Sequence, residues 1–188
     1  MTGVASFAPS KRAAAGLGII PARTAASGNL WRTPIERQEL ELRLAEAHEP
    51  FHRAIEEKLG QISAVHGTAL LLDCHSMPPR RGQAELVIGN RFGSSTSQWI
   101  ADEAARIARS AGWTVALNEP YAGGHVVERH GDPANDVHAL QIEIDRRCYC
   151  ASDLRSPGPG FDRTARFLAD LAARMGEGLT RLQAIAAE

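Results

Sequence analysis

The sequence predicts an α/β protein, with a mostly parallel or mixed sheet flanked by helices. Two apolar runs and one alternation carry that expectation. Ala69, Leu70, Leu71 and Leu72 are four consecutive residues of buried type before Asp73, the pattern of a strand covered on both faces. His138 to Asp145 reads HALQIEID and ends similarly, with Glu143 inside an otherwise apolar strand. Around these runs, strand-like segments alternate with segments of helical period, which is the order of a βα chain.

The elements follow in order. Residues 1–33 are rich in Ala, Gly, Ser and Pro without a sustained period, and read as a loose leading segment. Residues 34–188 read as a single α/β domain. Leu40, Leu44, Ala47, Phe51, Ile55, Leu59 and Ile62 recur at steps of three and four, predicting a long helix that Pro50 kinks or breaks near Glu49. Thr68–Asp73 is the first strand, and Glu85–Gly89 adds a short one. Ser94 or Ser95 caps a helix carrying Trp99, Ile100, Ala104, Ile107 and Ala111, which Gly112 ends. Trp113–Asn118 reads as a strand, and Glu119 to Val137 as a polar, glycine-containing loop. The strand holding Glu143 comes next, then a loop with Pro157, Gly158, Pro159 and Gly160. A terminal helix presents Phe167, Leu168, Leu171, Met175, Leu179, Leu182 and Ile185 on one face. Three or four strands make a thin sheet, and its outer strands need a cover, from a homo-oligomer or from further chain.

Composition narrows the function classes. The chain has 188 residues, 44% hydrophobic and 23% charged, with a net charge of −1, so no global field draws it to nucleic acid or to an anionic membrane. Basic doublets at Arg80-Arg81 and Arg146-Arg147 lack an aromatic-laced stripe around them. No apolar stretch approaches the roughly 20 residues that span a bilayer. Three cysteines, an odd number, point to a reduced, cytoplasmic setting.

The chemistry gathers where the apolar runs stop. Ligands of α/β sheets sit at the carboxyl ends of strands, and there His75 arrives with Asp73 two residues away. A neutral imidazole binds zinc, and a neighbouring carboxylate fixes its tautomer. If the strand stays extended through DCHS, Asp73 and His75 project together; the alternative is a loop histidine merely bonded to Asp73. Glu143 alternates with Leu140 and Ile142 and shares a face with Gln141. It is either a base whose pKa burial lifts toward working pH, or a carboxylate facing solvent or paired with Arg146. In NEPYAGGHVVERHGDP, Arg129 suits a carboxylate ligand, and Tyr121 and His130 are further candidates. His125 and Glu128 form a His-x-x-Glu pair, but the intervening valines favour extended backbone, which sends the two to opposite sides. Cys148-x-Cys150 lacks a second thiolate pair, and Cys74 or Ser76 lacks a well-placed base for nucleophilic work. No phosphate-cradling glycine motif with a lysine occurs.

LLLDCHSMPP, VIGNRFGSS, NEPYAGGHVVERHG and HALQIEIDRRCY, in this order and spacing, resemble the N-formylglutamate amidohydrolase family. GLGIIPARTAASGNLWRTPI and EPFHRAI resemble the segments preceding them, so the likeness runs from about Gly16 to near Gly160. It implies a three-layer, zinc carboxypeptidase-like fold, a Zn2+ cofactor, and hydrolysis of a small-molecule N-acyl amino acid, typically N-formyl-L-glutamate to glutamate and formate. By the same resemblance His75 is a metal ligand, Glu143 the general base, and Arg129 and His130 border the substrate, with Asn118 a further substrate-side candidate. One departure stands out. The family's opening strand with a Pro-His-(Ser/Ala)-Gly motif, which supplies other metal ligands, has no counterpart here; the first histidine is His48. The expectation is therefore a carboxyl-terminal portion of an amidohydrolase, either active or a catalytically silent remnant with at most a binding role.

Overall fold

The computed structural model describes residues 18–24, 28–33 and 35–186, without the side chains of 182–186. Most of the loose leading segment, and the side chains of Leu182 and Ile185 on the terminal face, thus lie outside what the structure describes. Contacts divide the chain between Ala54 and Ile55, and each unit is described by itself.

The first unit holds a two-residue ribbon, β1 (Arg23–Thr24) antiparallel to β2 (Gly28–Asn29), then helix α1 (Arg37–Arg43). None of α1's residues is buried, so its expected apolar face is not a core face. Its support is local, from the exposed ion pairs Arg37–Glu41 at 2.8 Å and Glu39–Arg43 at 2.7 Å. A π-helical turn, Leu44–His48, leads into α2 (Glu49–His66). Pro50 has no N–H to offer the preceding turn, and the register there widens: the Glu49 N–H donates to the Leu44 carbonyl. The expected break is thus a bulge within a continuing helical path.

The second unit carries the sheet. Its elements are β3 (Ala69–Met77), β4 (Leu86–Gly89), α3 (Gln98–Ser110), β5 (Val115–Leu117), α4 (His125–His130), β6 (Val137–Asp145) and α5 (Phe161–Ala186). The strand order is β3-β6-β4-β5. β3 and β6 are parallel, β4 runs antiparallel to β6, and β5 lies parallel to β4, so the sheet is mixed. Leu140, Ile142 and Ile144 of β6 point into one core with Leu86 and Ile88 of β4, the alanine-rich face of α3, and Phe167, Leu171 and Met175 of α5. Fully burying a side chain such as Leu171 is worth about 1.5–3 kcal/mol. From Ala139 on, the odd-numbered residues of β6 are buried as well, on the opposite face. The strand is therefore covered on both sides, as its apolar composition predicts.

Three local expectations are corrected. β3 does not stop at Asp73 but continues through Met77, since pairing with β6 persists to Met77↔Asp145. The residue before α3 is Ser97, with no side-chain cap; Ser95 instead clasps β6, its hydroxyl donating to the Ala139 carbonyl at 2.9 Å. The segment after β5 is not all loop, because His125–His130 form α4, which lies against β6 and β3. Val127 is buried there, and that tertiary burial overrides the extended preference of adjacent valines.

His138, at the start of β6, is almost wholly buried, and its Nδ1 has no hydrogen-bond partner among the described residues. Burial lowers its pKa below the ordinary histidine range. A depressed folded-state value means stability is complete above the unfolded pKa of about 6.5 and is lost as pH falls below it. The melting temperature should therefore drop as pH falls from about 7.5 to 5.5. A His138→Leu variant should show a flatter profile in the same scan; an unchanged slope would remove His138 from this role.

Candidate active site

The register of the parallel pair β3–β6 builds the site. Asp73 is the partner of Gln141 and His75 of Glu143, so all four side chains share one face. On the far side of β6, Val87 of β4 pairs with Glu143 and closes that flank with an apolar residue. His75 Nε2 lies 3.1 Å from Asp73 Oδ1, and Gln141 Nε2 donates to Asp73 Oδ2 at 3.1 Å. His75 Nδ1 stands 3.9 Å from Glu143 Oε1, too far for a hydrogen bond but close enough for a strong charge interaction. The imidazole is about half exposed, at 46%, whereas the Asp73 and Glu143 side chains expose 14% and 10%. The cluster is an acid floor with a histidine at its mouth.

Burial raises the Glu143 pKa; His75 opposes the shift and the Asp73 charge adds to it. Of the readings open for Glu143, pairing with Arg146 is not what the structure has. Arg146 donates to the Ser76 hydroxyl at 3.3 Å, and Arg147 pairs with buried Asp145 at 2.6 Å. Strand alternation sends Cys74 and Ser76 to the other face, where they line a groove of about 350 Å³ with Ile144, Tyr149 and Leu168, and the half-exposed His75 borders it too. Burial and the Asp73 charge push the Cys74 thiol up, away from the thiolate a nucleophile needs.

The glycine loop after β5 lies over the same face. Gly89 is the partner of Gln141, and a Cβ on Gly89 would sit 2.7 Å from the Ala122 carbonyl carbon and the Gly123 nitrogen. Gly124 approaches Gln141 Nε2, which a Cβ there would meet at 3.4 Å. The loop thus packs backbone against strand where no side chain fits. α4, which follows, carries two of the sequence candidates. Arg129 donates from Nε and Nη2 to Glu56 Oε1, at 3.2 and 2.9 Å. His130 is buried, and burial lowers its pKa. Asn118 stands at a left-handed φ of 60° and exchanges bonds with Asn90: Asn90 N–H to Asn118 Oδ1 at 3.0 Å, Asn118 Nδ2 to Asn90 Oδ1 at 2.8 Å. Its amide is spent on holding two strand ends together.

Helical geometry also corrects the reading of His125 and Glu128. Three apart on a helix they share a face, with Nδ1 and Oε2 3.9 Å apart. Two residues escaped the sequence reading. Gln141 was visible only as a face-mate of Glu143, and Arg91 only as part of VIGNRFG. Each acts through a long-range partner that local pattern does not announce.

A buried glutamate and a half-exposed histidine are thus brought to one face by adjacent parallel strands of the mixed sheet of an α/β protein. The chain belongs to the N-formylglutamate amidohydrolase family, whose model matches residues 5–150. It is 34% identical over 113 residues to an N-formylglutamate deformylase of Pseudomonas aeruginosa, covering 56% of this chain and 42% of that protein. An N-formylglutamate deformylase of Pseudomonas putida is 30% identical over 107 residues, covering 53% and 40%. The crystal structure of N-formylglutamate amidohydrolase from Ralstonia eutropha JMP134 superposes with a TM-score of 0.83 at 30% identity, covering 93% of this chain and 66% of that one. A gene product of Agrobacterium tumefaciens, at 22% identity and a TM-score of 0.65, shares the fold. The chain thus spans about two-fifths of the length of the curated relatives it matches.

The packing of the glycine loop is directly testable. Gly89→Ala drives a methyl into backbone atoms and should cost about 1–3 kcal/mol in denaturant unfolding. A midpoint equal to the parent's would mean the loop lifts freely from the sheet.

Proposed function

We propose that the protein hydrolyses the amide bond of a small-molecule N-acyl amino acid, N-formyl-L-glutamate to glutamate and formate, with a divalent metal, zinc. The observation that supports this most is the raised, buried Glu143 carboxyl within 3.9 Å of the His75 imidazole. Family membership and the deformylase relatives agree with it. Of the three protein ligands a catalytic zinc takes, this face offers one: a half-exposed imidazole whose second nitrogen is fixed by a carboxylate, itself held by Gln141. His75 would hold the ion and Asp73 would orient the ring. Bound there, a metal supplies Lewis-acid polarisation of the amide carbonyl and of water.

Glu143 does the proton work. Its carboxylate accepts a proton from the attacking water as the oxygen bonds to the formyl carbon. As the carbon–nitrogen bond breaks, that proton passes to the leaving amine. A carboxyl lifted by burial is a stronger base than a solvated one, and its neutral form is a usable acid near working pH. Arg129 and His130 border the substrate from α4, and Asn118 shapes that border through Asn90. No helix among the described residues is long and apolar enough to cross a membrane.

The second reading is a family member without catalysis and with at most a binding role. Formate release from N-formyl-L-glutamate by the zinc-supplied chain separates the two. Glu143→Gln should lower that rate by about 100-fold or more, and activity surviving the change removes Glu143 as base. Because the carboxyl is raised, kcat/KM should fall on its acid side with a midpoint above the ordinary glutamate value of about 4.3. Asp73→Asn removes a charge that raises Glu143 and should move the midpoint down.

A further inference from the structure

We propose that Arg91 determines specificity by receiving a carboxylate of the acidic N-acyl amino acid, a reading that rests on the hydrolase function above. Arg91 and Phe92 both stand at positive φ, 50° and 55°, and Gly93 follows at 89°. Left-handed backbone at two successive bulky residues is disfavoured and persists only where the surroundings impose it. Here they do. Asn118 Oδ1 accepts the N–H groups of Asn90 and, at 3.5 Å, Phe92, while the Arg91 N–H donates to the Ala122 carbonyl at 2.7 Å. The turn does not serve to bury Phe92, whose ring is 76% exposed. Its consequence is the placement of Arg91. The side chain packs on Gly123, and Nη1 donates to the Gly123 carbonyl at 3.1 Å.

That position lies on the loop that covers the His75–Glu143 face. Gly124 follows Gly123, and a Cβ on it would meet Gln141 Nε2 at 3.4 Å; Gln141 donates to Asp73, and Asp73 bonds His75. The guanidinium is also available. Two of its five N–H donors are engaged among the described residues, on Gly123 and, at 2.5 Å, on Glu128. The Glu128 side chain is 54% exposed, so this partner is a solvated carboxylate that a ligand carboxylate can replace. Arg129, by contrast, already has Nε and Nη2 on Glu56. Glu128 thus competes with the ligand for Arg91, and the two substitutions have opposite signs.

Titration calorimetry with glutarate, a dicarboxylate that needs no turnover, tests the assignment on the full chain. Arg91→Gln should weaken binding by about tenfold or more, the loss of one charge-assisted contact. Glu128→Gln should tighten it severalfold, and Arg106→Gln, an exposed arginine paired with Glu103 on α3, should leave it unchanged. Absence of glutarate binding by the parent chain, equal binding by Arg91→Gln, or weaker binding by Glu128→Gln overturns the proposal. If Arg91→Gln does not fold, by circular dichroism, the Glu128→Gln result decides alone. Arg91-dependent binding without formate release would instead overturn the hydrolase reading and leave the carboxylate subsite standing.

Discussion

The in-register parallel pairing of β3 with β6 is the constraint on which the site depends. It sets His75 beside Glu143 and Asp73 beside Gln141. A strand has a period of two, so a slip of one residue would turn Cys74 and Ser76 to the face of Glu143 and His75 to the opposite one. What resists the slip is burial. Leu140, Ile142 and Ile144 fill the core on one side while Ala139, Gln141 and Glu143 are buried on the other, and a shifted strand would put carboxamide and carboxylate into the leucine-rich layer. The energy that fixes the chemistry therefore comes from packing on the opposite face of the same strand.

The polar face has its own internal logic. A carboxylate as buried as Glu143 is costly unless something offsets it, and here a half-exposed imidazole does so at a distance that leaves room between them. Asp73 is committed to two donors, His75 and Gln141, so its charge is locally answered and its orientation fixed. The result is two carboxyl groups in unlike environments on adjacent strands. Of the two, it is Glu143 whose pKa burial raises.

Much of this was legible in the sequence because it is written in local periodicity. The apolar runs ending at Asp73 and Asp145 mark β3 and β6, and the spacing of Phe167, Leu171, Met175 and Leu179 marks α5. Alternation even placed Gln141 on the face of Glu143. The rest failed where distant contacts outweigh local preference. His-Val-Val-Glu reads as extended, yet Val127 is buried and Gly123-Gly124 let the backbone turn into α4. Ser95 has the composition of a cap but is claimed by Ala139, 44 residues away. Arg91 and Asn118 carry no periodic signal at all, since their conformations come from a reciprocal amide pair between strand ends.

Those strand-end contacts also explain why the cleft should respond as a unit. Asn90 and Asn118 join the ends of β4 and β5, the turn they hold aims Arg91 at Gly123, and the glycine loop rests on Gly89 and Gln141. Each link is a hydrogen bond or a close backbone contact with little slack, so a change at one is felt at the next. Substitutions along this row should couple rather than add, because they share partners. The sheet is thus more than a platform for His75 and Glu143. Through its left-handed turns, it also fixes where the Arg91 guanidinium stands against the glycine loop.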